Sequence, residues 1–186
     1  MTSSVSGLPV VIILAAGRGE RFAASGGKVH KLDAVLAGKR VLDHVLDAVR
    51  ASGLPHHVVQ PDALRPGMGD SIAAGIKATA NAPGWLILPA DLPLIRSETL
   101  RAIALAPASA VTVPRYQGQR GHPVRFAVAC RPALLRLEGN QGAAHIVRAQ
   151  EAINSVAFID TDDAGTVTDI DTLDDLRRAE TLLAQR

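Results

Sequence analysis

The sequence predicts an α/β layered fold with a mainly parallel central sheet, and three observations point to it. Val10-Val11-Ile12-Ile13-Leu14 and Trp85-Leu86-Ile87-Leu88 are unbroken apolar runs, the pattern of strands buried on both faces. Stretches of helical spacing alternate with these and with shorter β-branched runs. Both long runs end in a turn, one rich in Gly and Arg and one carrying Asp91. Open α/β sheets bind ligands at that end of their strands.

The elements follow in order. After the 10–14 strand comes a Gly- and Arg-rich loop. Val41, Leu42, Val45, Leu46 and Val49 then recur at helical spacing and stop at Gly53, a residue suited to a helix C-terminus. His57-Val58-Val59 reads as a second strand. A Pro/Gly-rich turn leads to a helix over 71–79, and the 85–88 strand stops at Pro89-Ala90-Asp91. Residues 97–105 read as a helix with Ser97 as N-cap. Strands are expected at 111–113 and 124–128, with short helical stretches over 132–137 and 143–150. Val156-Ala157-Phe158-Ile159 is the last strand. Thr172-Leu173-Asp174-Asp175 has the spacing of a capping box and opens a closing helix to about 185. With no internal repeat, low-complexity tract or linker, residues 1–186 read as one domain, with 1–9 as a flexible N-terminus.

Composition narrows the function. A net charge of +2 and 3% aromatic residues give neither the clustered positive charge nor the stacking surface that nucleic-acid binding needs. The longest apolar stretch, residues 10–16, is too short to span a bilayer. The first residues lack the basic and apolar regions of a signal peptide, and a lone cysteine, Cys130, suits a reducing compartment. We expect a cytoplasmic protein with no membrane or nucleic-acid partner.

The first loop, Leu14 to Arg21, carries phosphate-binding chemistry. Gly17 and Gly19 let backbone N–H groups converge on an anion, and Arg18, Lys28 or Lys31 can neutralise its charge. Phe22 stands where a dinucleotide fingerprint needs its third glycine. Val29 after Gly27-Lys28 breaks a Walker A loop. The bland alternative is a solvated turn with surface arginines.

Further along, Arg65-Pro66-Gly67-Met68-Gly69-Asp70-Ser71-Ile72 is a second glycine segment, where Gly67 and Gly69 admit conformations or close approaches barred to other residues. Asp70 or Ser71 could cap the following helix. Asp169 and Asp171, if extended, share a face. His56 and His57 point to opposite faces of a strand and cannot easily share a metal.

Read together, Leu14-Ala15-Ala16-Gly17-Arg18-Gly19-Glu20-Arg21-Phe22 and Lys31-Leu32 resemble the signature of the sugar-nucleotide and molybdenum-cofactor nucleotidyltransferases (MobA- and MocA-like). Ala15-Ala16-Gly17 is closer to the cytidylyl-transferring branch than to the guanylyl-transferring one. Gly67-Met68-Gly69-Asp70-Ser71 resembles the segment that lies beside the nucleobase in molybdopterin cytidylyltransferases. Asp91-Leu92-Pro93 resembles the family's Mg²⁺-binding Asp motif, and Asp169-Ile170-Asp171-Thr172 its C-terminal acidic segment. Arg120-Gly121-His122-Pro123-Val124 resembles a stretch bordering the acceptor.

The resemblance implies a three-layer Rossmann-like nucleotidyltransferase fold. It also implies Arg18, Lys31 and Asp91 as catalytic residues, with Lys28 a rival for Lys31. Leu14, Ala15, Ala16, Gly17, Gly19, Arg21, Gly67, Gly69 and Ser71 would bind nucleotide. Mg²⁺ would sit on Asp91 with Asp169 or Asp171, and His122 would contact the acceptor. The implied reaction transfers CMP from CTP, favoured over GTP, to molybdopterin or a similar phosphorylated acceptor destined for a molybdoenzyme partner, releasing pyrophosphate. Gly139-Asn140-Gln141-Gly142-Ala143-Ala144 departs from the Gly-Asp-x-Gly-Ala-Arg common in that branch and leaves the acceptor open. Two other readings remain: a non-catalytic nucleotide or cofactor carrier, and a transferase acting on a sugar phosphate or another phosphorylated metabolite.

Overall fold

The computed structural model describes residues 7–64 and 67–186. Arg65 and Pro66 of the second glycine segment, and residues 1–6 of the N-terminal stretch, lie outside the described residues.

The chain runs β1 (Val10–Leu14), α1 (Glu20–Ala24), a 3₁₀ turn at Lys31–Asp33, a two-stranded hairpin of β2 (Val35–Leu36) and β3 (Lys39–Arg40), and α2 (Val41–Ser52). It continues through β4 (His56–Val59), α3 (Met68–Ala78), β5 (Gly84–Pro89), α4 (Ser97–Ala104), β6 (Val111–Tyr116), β7 (Gln119–Arg120) and β8 (Val124–Ala127). It closes with α5 (Arg131–Leu135), α6 (Ala144–Glu151), β9 (Val156–Thr161) and α7 (Leu173–Ala184).

β1 lies between β4 and β5, parallel to both, which explains its unbroken apolar run. Val11, Ile12 and Ile13 are fully buried, and strand alternation sends them to opposite faces. Val11 and Ile13 meet α2, α4 and α7, including Val41, Val45, Val49, Leu100, Ile103 and Ala179. Ile12 meets the other layer, with Ile72 and Ile76 of α3, Leu134 of α5 and Ile146 of α6. The result is a helix–sheet–helix sandwich, the expected three-layer nucleotidyltransferase fold.

The sheet has two reversed members among the described residues: β8 runs antiparallel between β5 and β6, and the short β7 pairs antiparallel with β6, while β9 pairs parallel with β6. The sheet is thus mainly parallel, as expected. Apolar content does not encode strand direction. The β6–β7 hairpin and the turn after it return the chain through Gly121 and a cis His122–Pro123 bond to start β8 beside β5.

Four local expectations need correction. Residues 20–24 are a short helix rather than loop, held by Phe22 buried in the core. The second-segment helix begins at Met68, not 71, with Gly67 as N-cap; neither Asp70 nor Ser71 caps it, and the Ser71 hydroxyl donates back to Gly67 O. Ser97 is the first residue of α4 rather than its cap. The buried Asp163 carboxylate accepts instead from Arg96 N–H and Thr99 Oγ1, from across the chain. The Thr172–Asp175 capping box and the Gly53 helix end are present as expected. No helix among the described residues is long and apolar enough to cross a membrane.

Candidate active site

The carboxyl ends of β1 and β5 open on one side of the sheet into a cleft of about 720 Å³. That volume is ample for a small-molecule ligand.

The first loop forms one wall. Gly19 takes a left-handed backbone, φ 66°, which turns the chain into α1. The His30 ring braces the loop, with Nε2 donating to Gly17 O at 2.7 Å and Nδ1 accepting from Leu32 N–H at 3.3 Å. Because a carbonyl only accepts and an amide N–H only donates, both bonds together require the neutral Nε2–H tautomer. Sequence reasoning missed this role; the imidazole directly before Lys31 was its one visible signal.

Behind the loop lies the charged centre. Leu32 is buried and anchors the 3₁₀ turn, placing the Lys31 ammonium inside the cleft, while Lys28 stays on the exposed surface. Lys31 Nζ lies 2.6 Å from Asp91 Oδ2 and 2.9 Å from Asp171 Oδ1, and Arg21 reaches Asp171 Oδ2 at 2.6 Å. Burial works against the ammonium. The hydrogen bonds and charges of Asp91 and Asp171 outweigh it and hold Lys31 above its ordinary pKa. Asp91 sits just past β5, where Ala90 N–H extends the ladder to Leu14 O. Its second oxygen, Oδ1, is buried and has no hydrogen-bond partner among the described residues.

The C-terminal acidic segment docks against the same spot. Ile170 is fully buried and its N–H donates to Asp91 O at 2.9 Å, so Asp169 and Asp171 on either side both line the cleft. Asp175, from the capping box, accepts from the N–H groups of Asp171 and Thr172 and fixes this turn. Desolvation pushes the Asp169 carboxyl above its ordinary pKa against its own backbone hydrogen bond, and the charges of Asp91, Asp171 and Asp175 add to the rise.

The opposite end is neutral to acidic. Gly67, Met68, Asp70 and Ser71 line it together with Gly139 and Asn140. Gly67 has an ordinary extended backbone, φ −77°, so its need for glycine is spatial: a Cβ there would stand 2.0 Å from Gly139 O. Gly69 donates its N–H to the same carbonyl at 2.8 Å. His122 also faces the cleft; burial pushes its pKa down, against the opposing charge of Asp91.

Of the residues singled out from sequence, Leu14, Ala16, Gly17, Arg18, Gly19, Arg21, Lys31, Gly67, Ser71, Asp91, His122, Asp169 and Asp171 line this one cleft. Ala15 is buried beneath the loop, and Gly69 packs on the backbone of Glu138 and Gln141 rather than facing the opening.

No three His, Cys, Asp or Glu side chains among the described residues form a ready-made metal cage. A magnesium-like cation takes only one or two carboxylates and completes its shell with phosphate and water. The orphaned Asp91 oxygen and the crowded Asp169 carboxyl therefore fit such an ion.

Comparison with known proteins agrees with this geometry. The model of the MobA-like NTP transferase domain matches residues 11–153. Purine catabolism protein PucB of Bacillus subtilis is 30% identical over 90% of this chain and 95% of its own length. The bifunctional protein GlmU of Desulfitobacterium hafniense is 34% identical over 48% of this chain, but only 23% of its own length is covered. Among solved structures, Rv0371c of Mycobacterium tuberculosis is 25% identical with a TM-score of 0.77, covering 94% of this chain and 97% of that one. A further structure of Rv0371c is a complex with manganese. A nucleotidyl transferase from Methanothermobacter shares the fold at a TM-score of 0.80 and 19% identity, over 96% of this chain and 99% of that one.

Proposed function

The chain belongs to the MobA-like NTP transferase family and is a nucleotidyltransferase, and from that premise we propose that it transfers CMP from CTP to a phosphorylated acceptor such as molybdopterin, releasing pyrophosphate. Residues 1–186 act as one domain in this reading, in the cytoplasm, and a molybdoenzyme is the destination of the product.

The observation that carries the reading is the enclosed ammonium of Lys31, held at the ends of β1 and β5 beside the half-buried Asp91 carboxylate, whose spare oxygen is itself buried. A binding module has no use for that spare oxygen, because an unpartnered buried carboxylate oxygen is destabilising. The loop from Leu14 to Arg21 takes the triphosphate, with Arg18 and Lys31 stabilising charge on the phosphates as the acceptor oxygen attacks in line. The acceptor phosphate is ionised at neutral pH, so no base is required of the protein. Asp91 with Asp169 or Asp171 would hold Mg²⁺, which when bound offsets charge on the phosphate oxygens. The glycine segment from Gly67 and the Gly139–Asn140 loop form the base end. His122 stands on the acceptor side.

Supplying Mg-CTP and Mg-GTP in turn with candidate acceptors and measuring pyrophosphate tests the proposal. Release with CTP is expected. Silence with every pair rejects catalysis, and release with GTP alone rejects the cytidylyl assignment. Loss of turnover in Asp91→Ala with nucleotide binding retained supports catalysis, whereas unchanged function would favour the carrier reading instead.

A further inference from the structure

The Lys31 ammonium occupies the gap between two carboxylates, bonded to Asp91 Oδ2 and to Asp171 Oδ1. The Lys31 side chain is only 11% exposed, whereas Arg21, the other cation on Asp171, is 79% exposed. Among the described residues, Lys31 is therefore the one enclosed counter-charge for Asp91 and Asp171, and Asp169 lines the same cleft. In the functional reading above, on which this inference rests, the same acids hold a divalent cation. A second cation at Asp91 meets a like charge within bonding distance of the same carboxylate. Even at the spare Oδ1 it is repelled and binds tightly only once the ammonium leaves, and a buried ammonium stripped of its partners is strongly destabilising. Triphosphate oxygens, arriving along the neighbouring loop, supply the new partners it needs.

We propose that Lys31 is the resident counter-ion of the metal-binding carboxylates, and that a divalent cation is admitted only as Lys31 passes from Asp91 and Asp171 to the phosphates of the nucleotide. Metal affinity is thereby tied to nucleotide binding. The protein does not load metal on its own, and the nucleotide's arrival completes the site.

The test is Mn²⁺ binding by the whole chain without nucleotide, read from the electron paramagnetic resonance signal of free Mn²⁺. Wild type, Lys31→Met and Lys31→Gln are compared, with thermal melts to establish that each variant is folded. Removing the competing charge should tighten Mn²⁺ binding in both variants on the order of tenfold or more, although the same variants lose affinity for CTP. Equal or weaker Mn²⁺ binding by either folded variant overturns the proposal. Adding Asp91→Asn to Lys31→Met should abolish the gain. If Mn²⁺ still binds tightly there, the assignment of metal to Asp91 fails, which is a failure of the functional reading and not of the exchange alone.

Discussion

Replacing Gly67 by Ala tests whether that glycine is needed for space or for backbone freedom. Its φ of −77° and ψ of 156° are open to alanine, so a purely conformational account predicts no penalty. The spatial account predicts a large one. The new Cβ would stand 2.0 Å from Gly139 O and 2.1 Å from its carbonyl carbon, whereas ordinary contact begins at 3.4 Å. The Gly139 backbone must retreat by about 1.4 Å, and the 2.8 Å bond from Gly69 N–H to Gly139 O is lost with it. Overpacking together with one broken hydrogen bond amounts to about 2–4 kcal/mol. For a chain of this length that lowers Tm by about 5–15 °C. Thermal unfolding followed by circular dichroism reads the stability, and calorimetric titration with CTP reads the end of the cleft proposed for the base, which the displaced loop helps to form. A variant melting within about 1 °C of the parent and binding CTP equally well would refute the close-packing argument.

Three further outcomes are expected. His122 has its pKa lowered by burial, so its protonation favours the unfolded chain: the stability it permits is full above the ordinary imidazole value and is lost as pH falls below it. His122→Gln should therefore lose less stability than the parent between about pH 7.5 and about pH 5.5 in urea titrations; equal losses would contradict the assignment. Asp169 has its pKa raised, so its ionised form strains the fold, and stability declines as pH rises through the folded value. Asp169→Asn should melt higher than the parent near pH 7 in the presence of a chelator yet turn over more slowly, and a lower melting temperature would count against that strain. Thr172→Ala removes half of the capping box and should cost about 1 kcal/mol, with a matching loss of turnover because the same turn positions Asp171; urea unfolding and pyrophosphate release measure the two effects.

The layered fold was legible because β1 and β5 are buried on both faces and say so in their composition. The C-terminal capping box was legible because its chemistry is local. Features that depend on distant partners were not. The reversed direction of β8 follows from the path of the chain after β7, and Asp163 caps α4 from more than sixty residues away. The same holds at the site. Alternation placed Asp169 and Asp171 on one face, and the glycine loop announced a wall of the cleft. That Lys31 rather than Lys28 turns inward depends on Leu32 finding the core, and the brace from His30 to Gly17 has no periodic signature. Gly67 and Gly69 were marked as special, but sequence left conformation and contact undecided. The answer came from a loop seventy residues further on.

Lys31 and Asp171 are 140 positions apart, and Ser25 accepts the N–H of Leu173 across 148. Residues 25–31 and 171–173 must therefore both be present before the glycine loop and the C-terminal acidic segment face each other. During synthesis, a nascent chain that has emerged only as far as β9 holds the glycine loop and Asp91 but not the segment that closes behind them. Its cleft would lack Asp169 and Asp171 until the segment before α7 leaves the ribosome. Once complete, the same long-range tie makes the ligand a fastener for the whole molecule. Nucleotide at 100 times its dissociation constant would add about 2.7 kcal/mol of stability, and protease resistance should spread to both termini together.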